Sequence, residues 1–314
     1  MNIKEALNFG AKQLKKTAQK NSSPLLDASI LLCEAIKKPK EFIYSYPEKK
    51  LSSSQEKKYK NHILRRAKHE PLAYIINKKE FYGFEFLVNK SVLIPRPETE
   101  TLISAVLPTI GFPTSDSKTT IVDVGTGSGA IAITLKKLLP KAQVFASDIS
   151  QKSLALAKKN ANRLGAKITF KKGSLFSPFR PRLSDFRLPI VITANLPYLS
   201  QAEWREAQPE VKKYEPKGAL IGGKTGTEIY EKLFKEIACL FYPSDARKAY
   251  PNPDSRIRPF KANGNNAAMH LFIEIGYNQK APIMKLLNKI LHPKKIETFK
   301  DLGKKWRTIH AVLI

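Results

Sequence analysis

Three short stretches carry residues whose types and order could do chemistry. In the first, Ile121-Val122-Asp123-Val124-Gly125-Thr126-Gly127-Ser128-Gly129-Ala130, an apolar strand runs into a glycine turn and then a helix. Glycines let a backbone turn sharply and approach a ligand closely, and a helix N-terminus presents N–H groups with no partner inside the helix. Asp148 closes the next strand, 19 residues past Gly129, where a carboxylate can accept both hydroxyls of a ribose. The second stretch is Asn195-Leu196-Pro197-Tyr198, directly after the aliphatic run 190–194. In an open parallel sheet ligands sit beyond the carboxyl ends of the strands, so this loop faces the glycine turn. The Asn195 side-chain carbonyl and the Leu196 backbone carbonyl can each accept one N–H of a single planar amino group. Such a nitrogen has a delocalised lone pair and is a poor nucleophile. Holding it in line, and stabilising the positive charge that develops on it, is the chemistry these two acceptors suit. Pro197 stiffens the loop, and Tyr198 can pack on the planar group. The third stretch is Leu93-Ile94-Pro95-Arg96-Pro97-Glu98-Thr99-Glu100; its Arg96, Glu98 and Glu100 either belong to a site or charge the helix that follows.

The glycine turn alone leaves its ligand open. Gly125-x-Gly127-x-x-Ala130 satisfies the dinucleotide fingerprint as well as the Asp-x-Gly-x-Gly-x-Gly loop of S-adenosylmethionine enzymes. The Asn195–Tyr198 loop decides for the latter. It resembles the Asn/Asp-x-Pro-aromatic motif of methyltransferases that act on amino groups conjugated to a π-system.

The elements that must position these residues can be read from periodicity. Ile3, Ala6, Leu7, Ala11 and Leu14 form one helical stripe, and Leu25, Leu26, Ala28, Ile30, Leu31 and Leu32 another. Between them, Ser23 can cap and Pro24 suits a first helical turn. A further helix is predicted from about Ser54 to His69, ending at the turn-like Glu70-Pro71. Phe81–Val88 reads as strands around a glycine turn. From residue 98 onward the texture alternates: helix 99–107, strand 120–124, helix 130–139, strand 143–147, helix 151–164, strand 167–171 and strand 190–194. This βαβαβ rhythm predicts a parallel, doubly wound sheet covered on both faces. Strands 270–275 and 308–314 are predicted near the end, and 242–268, rich in Pro, Asn and Arg, reads as a long mobile loop.

The chain has 314 residues, which at the rough prior of ~150 residues per domain predicts two domains. Hydrophobic residues at 42% exclude wholesale disorder. The formal charge of +28 attracts polyanions, with RNA or a ribosomal complex the first guess and a solvated, lysine-rich surface the plain alternative. Two cysteines, Cys33 and Cys239, exclude a disulfide framework, and five scattered histidines offer no ligand pair, so no metal is expected. No apolar run approaches a membrane span or a signal-peptide core, so a soluble, cytoplasmic protein is expected.

Beyond these residues, the run Glu70-Pro71-Leu72-Ala73-Tyr74-Ile75, Phe81-Tyr82-Gly83 and Pro95-Arg96-Pro97-Glu98-Thr99-Glu100 resembles the PrmC/HemK protein-(glutamine-N5) methyltransferases of peptide chain release factors. The resemblance continues through Tyr214-Glu215-Pro216-Lys217, Gly222-Gly223, Glu274-Ile275-Gly276 with Gln279, and Lys300-Asp301-Leu302. It implies an α/β fold with a seven-stranded Rossmann-like class I methyltransferase sheet. Residues 1–75 would be a helical substrate-recognition domain, 76–97 a β-hairpin connector and 98–314 the catalytic domain. It implies S-adenosyl-L-methionine as cofactor, held by Gly125, Thr126, Gly127, Ser128, Gly129, Asp148, Leu175 and Asn195. Asn195, Leu196, Pro197 and Tyr198 would bind the target glutamine amide, with Asn195, Pro197 and Tyr198 catalytic. The substrate implied is the Gly-Gly-Gln glutamine of class I release factors, met by a monomer that needs no stable nucleic acid and no membrane. Two departures stand out: Leu196 replaces the first of the family's two usual prolines, and Ser174 stands where an Asp usually contacts adenine. Two alternatives remain at this level, an rRNA adenine amino-methyltransferase and a non-catalytic ribosome-binding module on the same fold.

Overall fold

The computed structural model describes residues 1–18, 23–110, 119–179, 186, 189–241 and 269–313. The elements begin with helices α1 (Ile3–Lys15), α2 (Pro24–Ile36), α3 (Lys40–Ser45), α4 (Ser53–Ala67) and α5 (Leu72–Ile76). A hairpin of β1 (Lys78–Phe81) and β2 (Phe84–Leu87) leads to α6 (Glu100–Thr109). The alternating part runs β3 (Thr120–Val124), α7 (Ala130–Leu138), β4 (Gln143–Asp148), α8 (Gln151–Leu164), β5 (Thr169–Lys172) and β6 (Ile190–Ala194). After it come β7 (Leu199–Ser200), α9 (Gln201–Glu206), α10 (Pro209–Tyr214), β8 (Ile221–Gly223) and α11 (Glu228–Phe241). The last elements are β9 (Met269–Glu274), α12 (Lys280–Ile290), β10 (Lys295–Lys300) and β11 (Trp306–Val312). The predicted linker 113–118 and the predicted loop 242–268 lie outside the described residues.

The chain divides into two compact units, Met1–Lys78 with Ala207–Glu215, and Lys79–Glu206 with Pro216–Ile314. In the first, α1 and α4 each start with a capping box, Asn2 with Glu5 and Ser52 with Gln55, which satisfies orphan N–H groups at both starts. At α2, Pro24 occupies the first turn as expected, but the Ser23 side chain makes no capping bond. The proline at the first position lacks an N–H, so the start of this helix has one orphan donor fewer to satisfy. Ile3, Leu31, Leu32, Ile43, Tyr59 and Ile63 fill the core. The buried face of α4 also carries Arg66, which binds Asp27 and Glu210, each at 2.7 Å, and so fastens α10 to this helical unit from 144 residues away. Periodicity gives no hint of that long return.

In the second unit, seven of the described strands form one sheet in the order β10-β11-β9-β6-β3-β4-β5. The five strands from β9 to β5 run parallel, and β11 lies antiparallel between β9 and β10. Both β3 and β6 are buried along their whole length, which explains why apolar residues stand on both faces of each. Successive residues of β3 go to opposite faces. Val122 and Val124 join Phe234 of α11 and Leu287 of α12, whereas Ile121 joins Ile103 of α6 and Ile133 of α7. The strand order reverses at β3 and β6, whose ends are in register, Val124 opposite Ala194. The loops that follow them therefore leave the sheet side by side, the place where doubly wound sheets bind ligands.

Candidate active site

The glycine turn holds its shape by backbone bonds. Gly125, Gly127 and Gly129 all have positive φ, and the amides of Gly125 and Thr126 both donate to the Ser147 carbonyl at the end of β4. A β-carbon on Gly125 would sit 2.7 Å from Leu196 Cδ2, so the absence of a side chain there is what lets the turn close on the Asn195–Tyr198 loop. At Gly127 nothing lies within 4 Å of where a β-carbon would stand, so the middle of the turn faces open space. Asp148 points its carboxylate into that turn: Oδ2 accepts from the Gly127 amide at 2.9 Å and Oδ1 from the Ser150 amide at 2.8 Å. Burial pushes its pKa up, against these two bonds. Beside it, Ile149 is 72% exposed, a large apolar side chain left in the open next to a carboxylate. Thr126 and Ser128 are buried within the turn. Leu175 adopts a positive φ, and its carbonyl accepts from the Ser147 hydroxyl at 2.8 Å.

The facing loop is braced from behind by five segments: the turn before α6, β8, α11, β9 and the turn before α12. The Asn195 amide nitrogen donates to Glu274 Oε2 at 2.9 Å and to the Thr99 hydroxyl at 3.1 Å. The Leu196 amide donates to the Tyr230 hydroxyl at 3.2 Å, and that hydroxyl donates in turn to the Glu274 carbonyl. The Tyr198 hydroxyl meets Glu274 Oε1 at 3.3 Å, and burial holds the phenol protonated by raising its pKa. The Tyr198 carbonyl accepts from Gln279 Nε2 at 2.6 Å, while Gln279 Oε1 accepts from the Gly276 amide. Pro197 packs backbone to backbone on β8: a β-carbon on Gly222 would lie 2.4 Å from the Pro197 carbonyl oxygen. The Asn195 amide nitrogen, the Leu196 amide and the Tyr198 hydroxyl are thus all turned inward. The Asn195 Oδ1 and the Leu196 carbonyl have no partner among the described residues and remain as acceptors.

Two buried carboxyls lie behind these loops. Asp123, in β3, accepts from the Thr193 hydroxyl at 2.9 Å, and burial pushes its pKa up to about 6. Glu274 is pushed up to about 7, again by burial, against the Thr99 hydroxyl and the Arg307 charge.

Similarity to known proteins agrees with this geometry. Residues 5–76 match the PrmC N-terminal domain family, and residues 121–217 match a methyltransferase domain family. The release factor glutamine methyltransferase of Bacillus cereus is 37% identical over 237 residues, covering 76% of this chain and 81% of that one. The protein of the same name from Bacillus subtilis is 30% identical over 312 residues, 99% of this chain and 98% of that one. The chain belongs to the release factor glutamine methyltransferase family. The crystal structure of the hMettl16 catalytic domain in complex with MAT2A 3'UTR hairpin 6 shares the fold, with a TM-score of 0.52 at 16% identity over 81% of this chain and 82% of that one.

Within this family member, the structure brings Gly125–Gly129, Asp148 and Asn195–Tyr198 to one end of the sheet. Leu175 follows β5 and is joined to that end through the Ser147 hydroxyl. The residue types leave several members of the site without a role. Glu274, Gln279 and Thr99 stand in stretches that resemble the family, yet only the fold shows that they grip the Asn195–Tyr198 loop. Asn160 carries no sequence signal at all. From α8 it accepts from the Leu87 amide and donates to the carbonyls of Leu87 and Ser128, tying the hairpin to the glycine turn.

Proposed function

We propose that this chain transfers a methyl group from S-adenosyl-L-methionine to the side-chain amide nitrogen of the glutamine in the Gly-Gly-Gln motif of class I peptide chain release factors. The cofactor site is supported by the open space at Gly127, the oriented Asp148 carboxylate and the exposed Ile149 beside it. Asp148 has one remaining lone pair on each oxygen for the two ribose hydroxyls, and Ile149 offers an apolar face to a heterocycle. When bound there, S-adenosyl-L-methionine supplies an electrophilic methyl on a sulfonium.

The observation that carries the reading is the inward turn of the Asn195 amide nitrogen, which leaves Oδ1 and the Leu196 carbonyl as a pair of acceptors at the mouth of the glycine turn. A primary amide brings two N–H donors in one plane. Two acceptors hold that plane so that the nitrogen lone pair, normally conjugated with the carbonyl, is directed at an electrophile. As the nitrogen becomes positive, both hydrogen bonds strengthen, which favours the transition state over the bound substrate. Tyr198, kept as a neutral phenol, covers the flat face of the amide, and Pro197 limits the loop's freedom.

The test is incubation of the full chain with methyl-labelled S-adenosyl-L-methionine and, in separate arms, a class I release factor or rRNA, with the label mapped by mass spectrometry. Label on the Gly-Gly-Gln glutamine is expected. Label on an adenine amino group instead would transfer the same chemistry to RNA, and no label in either arm would overturn the enzymatic reading.

A further inference from the structure

We propose that Glu274 is the positioning residue that decides which end of the Asn195 amide meets the substrate. This rests on the reading of Asn195 as an acceptor for the target amide. An asparagine side chain is close to symmetric in shape, and a half-turn about its last torsion exchanges oxygen for NH2. Only the oxygen can accept a substrate N–H. The reversed amide would set donors against donors and repel the target. Nothing in Asn195 itself, or in β6 before it, selects between the two states.

Glu274 does select. A carboxylate only accepts, so its Oε2, 2.9 Å from Asn195, obliges the NH2 to turn toward it and Oδ1 to turn away. Its other oxygen takes the Tyr198 hydroxyl, so one carboxylate sets two side chains of the four-residue loop. Glu274 is itself held at the end of β9, paired with Thr308 of β11 and bonded at its carbonyl by Tyr230 of α11. It is 1% exposed and has no ion pair within 4.0 Å among the described residues. Placing a carboxylate there is costly, and an apolar or amide side chain would fold more easily. The Asn195 contact gives that cost a purpose.

The groups facing Glu274 are Asn195 and Tyr198 from the loop, Thr99 and Glu98 from the turn before α6, Arg307 from β11 and Tyr230 from α11. Burial raises its pKa to about 7, so both its ionised and its protonated forms are populated near neutral pH. A protonated Glu274 can donate to Asn195 Oδ1 and stabilise the reversed amide. Turnover therefore requires the ionised form and falls as pH drops through this titration.

The test is Glu274→Gln, which keeps the shape but removes the acceptor-only character. Cofactor affinity by calorimetry should stay within about twofold, while kcat falls about 10- to 100-fold with KM less affected, and the acid limb of the pH profile flattens. The Asn195 side-chain amide signals of 15N-labelled wild-type protein should shift between about pH 5.5 and 8.5, bracketing the Glu274 titration. They should stay put in Glu274→Gln. Normal kcat with an unchanged acid limb in the variant, or Asn195 signals in the wild type that ignore pH, would overturn the proposal. If the wild type leaves release factors unlabelled, the functional reading falls and the amide titration still decides the role of Glu274. If the variant fails to fold, the wild-type titration decides alone.

Discussion

On the proposed reading Asn195 acts through one oxygen, left open because its amide nitrogen donates to Glu274 and Thr99. Asn195→Ala removes one acceptor of the target N–H and leaves the glycine turn and Asp148 in place. Loss of a hydrogen bond to a charge-developing group costs on the order of 3–4 kcal/mol, so turnover should fall by about two to three orders of magnitude while cofactor binding, followed by calorimetry, weakens less. Near-normal turnover would move the acceptor role to another residue. Asp148→Ala reports on the other half of the site. If its carboxylate takes the ribose hydroxyls, S-adenosyl-L-methionine affinity should drop by about 1.5–3 kcal/mol, as for hydrogen bonds to a charged group, with the same substrate nitrogen methylated. Unchanged affinity would place the cofactor elsewhere. Both residues could be named from sequence because their chemistry shows in residue type and in position after a strand. Glu274 could not, because a carboxylate near the end of a chain says nothing of the amide it faces until the sheet sets β9 beside β6.

Elements were legible to the extent that burial imprints a period. The fully buried strands β3 and β6 and the amphipathic α8 match their predicted spans residue for residue, 120–124, 190–194 and 151–164. The edge strand β10, Lys-Ile-Glu-Thr-Phe-Lys, is only half-buried and leaves no apolar run to see. The short helices α3, α5, α9 and α10 cover less than two full turns each, too little for a stripe to emerge. The segment from β8 to α11 is legible only through its glycines, and these bear on function. Gly222→Ala would drive a β-carbon against two backbone oxygens, those of Pro197 and Gly226, at 2.4 and 2.6 Å. Backbone cannot step aside as a side chain can, so the Asn195–Tyr198 loop must shift. The expected result is a loss of turnover of about tenfold or more with cofactor affinity retained, since small displacements at a reacting centre are costly. Equal kcat in the variant would show that the loop's backing is not what sets its place. The central strand gives a prediction about pH. Asp123 is raised from 3.8 to about 6 in the fold, so the folded state holds its proton more tightly than the unfolded chain does. Its contribution is fully present below about pH 4 and is lost as pH rises through about 6, on the order of 2–3 kcal/mol. Asp123→Asn lacks this dependence. The difference in denaturation midpoint between wild type and variant should therefore move in the variant's favour from pH 4 to pH 7, and parallel curves would refute the buried-carboxyl account.

At the scale of the whole molecule the dominant quantity is the charge of +28, which the fold neither needs nor explains. Arg307 is the one cation named at the site, where it faces Glu274, so most of the excess lies away from the chemistry and would act on encounter. Part of it lies in residues 242–268, outside the described residues, where Arg247, Lys248, Arg256, Arg258 and Lys261 stand against Asp245 and Asp254, a local excess of +3 (5 − 2). A basic stretch of this kind raises the local concentration of an acidic partner, and its pull acts over the Debye length, about 10 Å at 0.1 M salt and about 3 Å at 1 M. Replacing the five basic residues with Ser turns the local balance to −2 (0 − 2) and removes none of the residues placed at the active site. The Michaelis constant for a release factor should therefore rise about three- to tenfold at low salt, the turnover number should stay nearly constant, and the two proteins should converge at high salt. Adding RNA to the same assay separates the partners. If the stretch serves RNA, the added RNA should inhibit the wild type more than the variant while their Michaelis constants for release factor agree. Equal Michaelis constants at low salt with equal sensitivity to RNA would mean that the basic stretch is solvated charge and nothing more.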